Sequence, residues 1–149
     1  MKDKLLYTTK ELFDSYLRGK YYTIPEYQRG YKWETKDIDC LLKDINNFSK
    51  NDDLDLFYCL QNITLVENKD SFNVVDGQQR LTTLAIILSY LGEYSLINEK
   101  IQYNIRKETE EFLKEYIYKS SNIKTIENWE QLLSISSLEN KDYDYQDVY

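Results

Sequence analysis

Histidine does not occur in this 149-residue chain. Its absence excludes serine–histidine and cysteine–histidine catalytic arrangements, histidine-bound metals and a histidine general base. An HNH-type nuclease centre cannot be assembled from these residues. Any metal has to be held by oxygen, which favours Mg²⁺ over Zn²⁺. Proline occurs once and glycine four times, so few turns rest on either and long helices are expected. Cys40 and Cys59 are too far apart for a C-x-x-C unit. They read as reduced, mostly buried thiols of a cytosolic protein. No apolar run reaches membrane-spanning length, and no secretory apolar region follows Met1-Lys2-Asp3-Lys4. A cytoplasmic location is therefore expected.

Positive charge is also scarce and scattered. The net charge is -7 and no Lys/Arg run occurs. Residues 1–90 carry 12 basic and 14 acidic groups, a net of -2; residues 91–149 carry 7 and 12, a net of -5. Strong binding to duplex DNA needs a basic patch that displaces counterions, so this segment alone is a poor candidate for it.

What remains is the composition of one ordinary globular domain, 30% charged and 42% hydrophobic. Residues 8–18 read as a short helix with Thr8 or Thr9 as N-cap and Gly19 as its stop. Tyr21–Ile24 reads as a strand closed by Pro25, and Glu26–Trp33 as a loop. Residues 35–49 give the clearest amphipathic helix, capped by Thr35, with Ile38, Leu41, Leu42, Ile45 and Phe48 on one stripe. Residues 57–66 and 71–75 read as a hairpin. A largely buried helix is expected over 77–91, a short strand over 100–105, a helix over 107–118 and another around 126–133.

Within this pattern, Val74-Val75-Asp76-Gly77-Gln78-Gln79-Arg80-Leu81-Thr82-Thr83-Leu84 forms a strand, a tight turn and a helix start. A helix start presents unpaired N–H groups and partial positive charge, a natural seat for phosphate. Gly77 would let a ligand approach the backbone, the glutamines offer amides, and Arg80 offers a fork of donors. Asp76 reads as holder of a metal ion, a ribose hydroxyl or Arg80 itself. The bland alternative is a helix cap with Arg80 paired to Asp76. Among neighbours, Tyr27 reads as packing and Asp44 as a solvated helix residue or a partner for an arginine of the site.

Two motifs together carry a resemblance. Ile24-Pro25-Glu26-Tyr27-Gln28-Arg29-Gly30-Tyr31-Lys32-Trp33 resembles an I-P-x-Y-Q-R-x-Y-x-W box, and Val74–Leu84 a V-x-D-G-Q-Q-R-L-T-T-L box. Both mark the N-terminal domain of GmrSD-type, modification-dependent restriction systems, a family similar in fold to ParB and sulfiredoxin. The resemblance is strong over residues 20–91. Where the family has Gly-x-Ile, this chain has Leu60-Gln61-Asn62-Ile63, whose polar pair either adds contacts to the pocket or, as expected here, faces solvent. The cysteine that sulfiredoxin chemistry needs is missing from Asp76–Arg80.

The resemblance implies an α/β (α+β) fold: a small ParB/sulfiredoxin-like sheet with a β-hairpin packed against several helices. It implies one domain over 1–149, with a motif core at 20–91, a helical extension at 100–149 and a truncated C-terminus. It implies a sensor or regulatory domain that binds and slowly hydrolyses a nucleoside triphosphate with Mg²⁺. Gln28, Arg29, Gly77, Gln79, Arg80 and Thr82 would bind the nucleotide phosphates. Asp76, Gln78 and Gln79 would be catalytic, and Asp76 would also hold Mg²⁺. Binding without turnover stays open. The implied partners are an HNH-type nuclease domain or subunit and, in the complete system, modified DNA, with a homodimer left open. The alternative is a noncatalytic module that recognises modified DNA or a partner protein through the same pocket.

Overall fold

A computed structural model describes residues 6–14, 16–51 and 56–118. Its centre is a four-stranded sheet in the order β2-β3-β1-β4. β1 (Tyr21–Ile24) runs parallel to both neighbours, β3 (Ser71–Asp76) and β4 (Ile101–Tyr103). β2 (Thr64–Glu67) pairs antiparallel to β3 at the edge. β1 carries four β-favouring residues, and its last three are buried, as expected for a parallel strand covered on both faces. The mixed sheet packed against helices is the expected α+β architecture.

The core joins Phe13 and Leu17 to Tyr22 and Ile24 of β1, Val74 of β3 and Leu81 of α3 (Gln78–Tyr90). The Tyr22 hydroxyl donates to the Leu12 carbonyl at 2.7 Å, which ties the sheet to α1 (Thr9–Phe13). Thr8 and Glu11 form a capping box at the start of α1. That helix is shorter than residues 8–18: Asp14 leaves helical geometry, and the chain turns through Arg18 and Gly19, both at positive φ.

α2 (Thr35–Ser49) has the expected length, but Glu34 rather than Thr35 caps it, paired reciprocally with Asp37. It contributes no buried residue; its stripe lies at the surface beside residues 56–63. Cys40 sits next to that stripe rather than on it, and both cysteines are exposed, not buried as the sequence suggests. The hairpin is also shorter than expected. Gln61 at φ 71 breaks the extended run, so pairing starts only at Thr64. The Tyr58 hydroxyl donates to Asp44 at 3.2 Å and its ring meets Phe48, which draws this segment towards α2 instead of β3.

After α4 (Tyr94–Ile97) and β4 comes α5 (Lys107–Phe112), which continues as a π-helical turn over Leu113–Ile117. The Ser89 hydroxyl donates to the Ile117 carbonyl and joins this turn to α3. The helix expected around 126–133 lies outside the described residues. Among the described residues no helix is long and apolar enough to cross a membrane.

Glu110 is the buried acid of α5. It accepts from the Tyr103 N–H at 2.8 Å and from Lys114 at 2.7 Å. Burial pushes its carboxyl up, but these bonds and the Lys107 charge outweigh that and hold it below its ordinary 4.5. A lowered folded-state value contributes stability that is present above pH 4.5 and lost as pH falls through the folded value. Glu110→Gln should therefore melt lower than the parent at pH 7 and show a shallower acid decline. Parallel acid limbs in a melting series would contradict this assignment.

Candidate functional site

The three parallel strands end on one edge of the sheet, the edge where open α/β sheets bind ligands. The loop 25–33 leaves β1 there, the turn Asp76–Gly77 leaves β3, and Asn104–Arg106 leaves β4. The Asn104 N–H donates to the Ile24 carbonyl at 3.1 Å, so pairing continues just past β4. Both sequence boxes thus meet at one place.

The glutamines form the joint between them. The Gln79 Oε1 accepts from the N–H of Lys32 at 2.7 Å and of Trp33 at 3.3 Å. Its Nε2 donates to the Gly30 carbonyl at 2.9 Å. The Gln78 Nε2 donates to the Arg29 carbonyl. Both side chains are buried, and their amides are engaged by the chain's own backbone. Gln28 makes the reverse link: its Nε2 donates to the Val75 carbonyl at 2.7 Å. Gln78 and Gln79 hold the loop 25–33 against the start of α3, and Gln28 ties it to the end of β3.

Gly77 has φ 88 and sits as the N-cap of α3, which receives no side-chain cap. A Cβ here would lie 3.0 Å from the Ile63 side chain and 3.3 Å from the Asn62 carbonyl. The close approach that glycine permits is made by the chain itself. Arg80 belongs to the same contact: its Nη1 donates to the Asn62 carbonyl at 2.9 Å. Its Nη2 lies 3.9 Å from Asp76, too long for a hydrogen bond. Asp76 is open, with 70% of its side chain exposed against 19% for Arg80.

The remaining predicted residues separate from this group. Arg29 is exposed, and its side chain makes no ion pair among the described residues. Thr82 turns inward, with its hydroxyl 3.1 Å from that of the buried Tyr103. Burial pushes the Tyr103 phenol up to about 12, so it stays protonated. The Thr83 hydroxyl donates to the Gln79 carbonyl and meets the Tyr31 hydroxyl at 2.7 Å. Tyr27 is 67% exposed and does not pack. Asp44 pairs with Tyr58 rather than with an arginine. Two further participants enter through backbone contacts. Asn62 enters through its carbonyl, which residue type does not report. Arg106 enters by donating to the Gln28 carbonyl at 2.8 Å.

A cleft of about 910 Å³ lies between α1, the second half of α2, residues 56–63 and α3, and of the predicted site residues only Arg80 lines it. Tyr7, Phe48, Phe57 and Tyr58 contribute aromatic walls, and Arg80 and Gln61 contribute polar ones. Among the described residues no group of three or more acidic, cysteine or histidine side chains could hold a metal ion. A Mg²⁺ ion would thus depend on Asp76 and on oxygens that a ligand brings, the usual arrangement for Mg²⁺ with a polyphosphate.

A model of the GmrSD restriction endonuclease N-terminal domain family matches residues 9–149. No curated protein and no solved structure matches the chain.

Removing the Gln79 amide should leave two N–H groups and a carbonyl of the loop without partners. Gln79→Ala should therefore cost about 2–3 kcal/mol in denaturant unfolding. A midpoint equal to that of the parent would show that the amide does not hold the loop.

Proposed function

The chain belongs to the GmrSD restriction endonuclease N-terminal domain family, and from that membership we propose that it is the nucleotide-responsive sensor domain of a modification-dependent restriction system. In this reading it binds a nucleoside triphosphate, turns it over slowly and regulates an HNH-type nuclease domain or subunit. That partner would cut modified DNA in the cytoplasm. The net charge of -7 supports a regulatory role over direct grip on duplex DNA.

Arg80 carries the reading. Its guanidinium is one-fifth exposed and lines a cleft large enough for a nucleotide, among aromatic walls suited to a base. Its present partners are a neutral carbonyl at 2.9 Å and an exposed carboxylate at 3.9 Å. A phosphate makes stronger, charge-assisted bonds than either. Arg29, open to solvent, and the uncapped start of α3 add positive character on the same edge. Mg²⁺ arriving with the triphosphate would neutralise phosphate charge, and Asp76 is the carboxylate suited to hold it.

Gln78 and Gln79 support the site differently from the expected catalytic role. Their amides are engaged with the loop 25–33, so in this reading they serve as positioning residues. The same engagement favours slow turnover, or binding alone, over fast hydrolysis. In the alternative reading, a noncatalytic module uses the cleft for a partner protein.

Calorimetric titration with each of the four nucleoside triphosphates, with and without Mg²⁺, separates these readings. One of them should bind, and Arg80→Ala should weaken it by about 1.5–3 kcal/mol, the worth of lost charge-assisted bonds. Any phosphate release should disappear with it. Equal binding by parent and variant would move the site elsewhere, and no heat from the parent would favour the protein-binding module.

A further inference from the structure

Arg106 lies where β4 passes into α5 and is the N-cap residue of that helix. Its side chain does not cap the helix. It reaches across the sheet edge instead, and its Nη1 donates to the Gln28 carbonyl at 2.8 Å. Gln28 in turn donates to the Val75 carbonyl at 2.7 Å, one residue before Asp76. Two bonds therefore run from the start of α5, through the loop after β1, to the end of β3. Arg106 and Gln28 are 78 residues apart in the chain, so this contact depends on the assembled sheet.

The cation is an expensive choice for mere packing. Its Nε is buried with no acceptor among the described residues. The acid of α5 is taken elsewhere, since Glu110 pairs with Lys107 and Lys114. A buried donor without a protein partner lowers stability, so packing alone does not account for this cation at the sheet edge. The guanidinium delivers reach and a rigid donor to a single carbonyl of the loop that carries Arg29.

We propose that Arg106 is a positioning residue of the candidate site, acting through Gln28 to hold the loop 25–33 against the end of β3. It touches neither phosphate nor metal; it fixes the frame in which Arg29, Gln79 and Asp76 are presented. The consequence for ligand affinity rests on the nucleotide reading above, whereas the hold on the loop does not.

Hydrogen exchange and nucleotide titration on the same full-length chain test the two parts separately. Without nucleotide, Arg106→Ala should raise exchange of the amides in 25–33 about tenfold, because a charged-group hydrogen bond is lost. Core amides of β1 and α3 should stay protected. With the triphosphate that the parent binds best, Arg106→Ala should bind about tenfold more weakly. Arg106→Lys, which keeps a donor but not the fork, should fall between the two in both measurements. Unchanged exchange in 25–33 would overturn the proposal, and so would faster exchange with unchanged nucleotide affinity. If Arg106→Ala does not fold, parent-like exchange in Arg106→Lys overturns it equally. If the parent binds no nucleotide, the nucleotide reading falls, while the exchange comparison still decides whether Arg106 holds the loop.

Discussion

The amide of Gln79 is the contact on which the sheet edge depends. One planar group accepts from two backbone N–H groups and donates to one carbonyl, all from the loop after β1. That loop has no regular structure of its own to satisfy its backbone. Buried polar groups need partners, and here a side chain on the neighbouring helix supplies them. An amide is the fitting choice, because it donates and accepts at once without a charge to desolvate. The two sequence boxes are therefore two halves of one joint.

Charge at this edge follows from the same economy of partners. Arg80 and Arg106 each lean on a backbone carbonyl, Asn62 and Gln28 respectively. Carbonyls orient a guanidinium without neutralising it, and the one carboxylate near Arg80, Asp76, stands off at 3.9 Å and is exposed. The edge therefore keeps cationic character in a chain whose net charge is -7. Such a local exception matters more for recognition than the overall balance does.

Much of this was legible in the sequence. β-favouring residues and turn residues gave β1 and β3, and the 3.6 period gave α2 and α3, because these elements bury or segregate their apolar side chains strongly. The D-G-Q-Q-R run marked the place where the two boxes meet. What residue types do not announce is backbone. The carbonyl of Asn62, the positive φ of Gln61 and the approach of Ile63 to Gly77 all depend on tertiary placement. For that reason residues 57–63 read as strand but are not, and Gly77 read as room for a ligand although its own chain fills that room. Thr82 was placed on the phosphate side by proximity, but one residue along a helix turns a side chain by about 100°. It faces Tyr103 instead.

α2 supplies a last consequence. It lies on the connection between two adjacent core strands, yet it places no residue in the interior. Segments with few interior contacts open at lower free energy than the whole molecule does. A helix on the connection between β1 and β3, neighbours in the sheet, is thus energetically peripheral. It can peel away as a subglobal unit while the strands on either side of it stay paired.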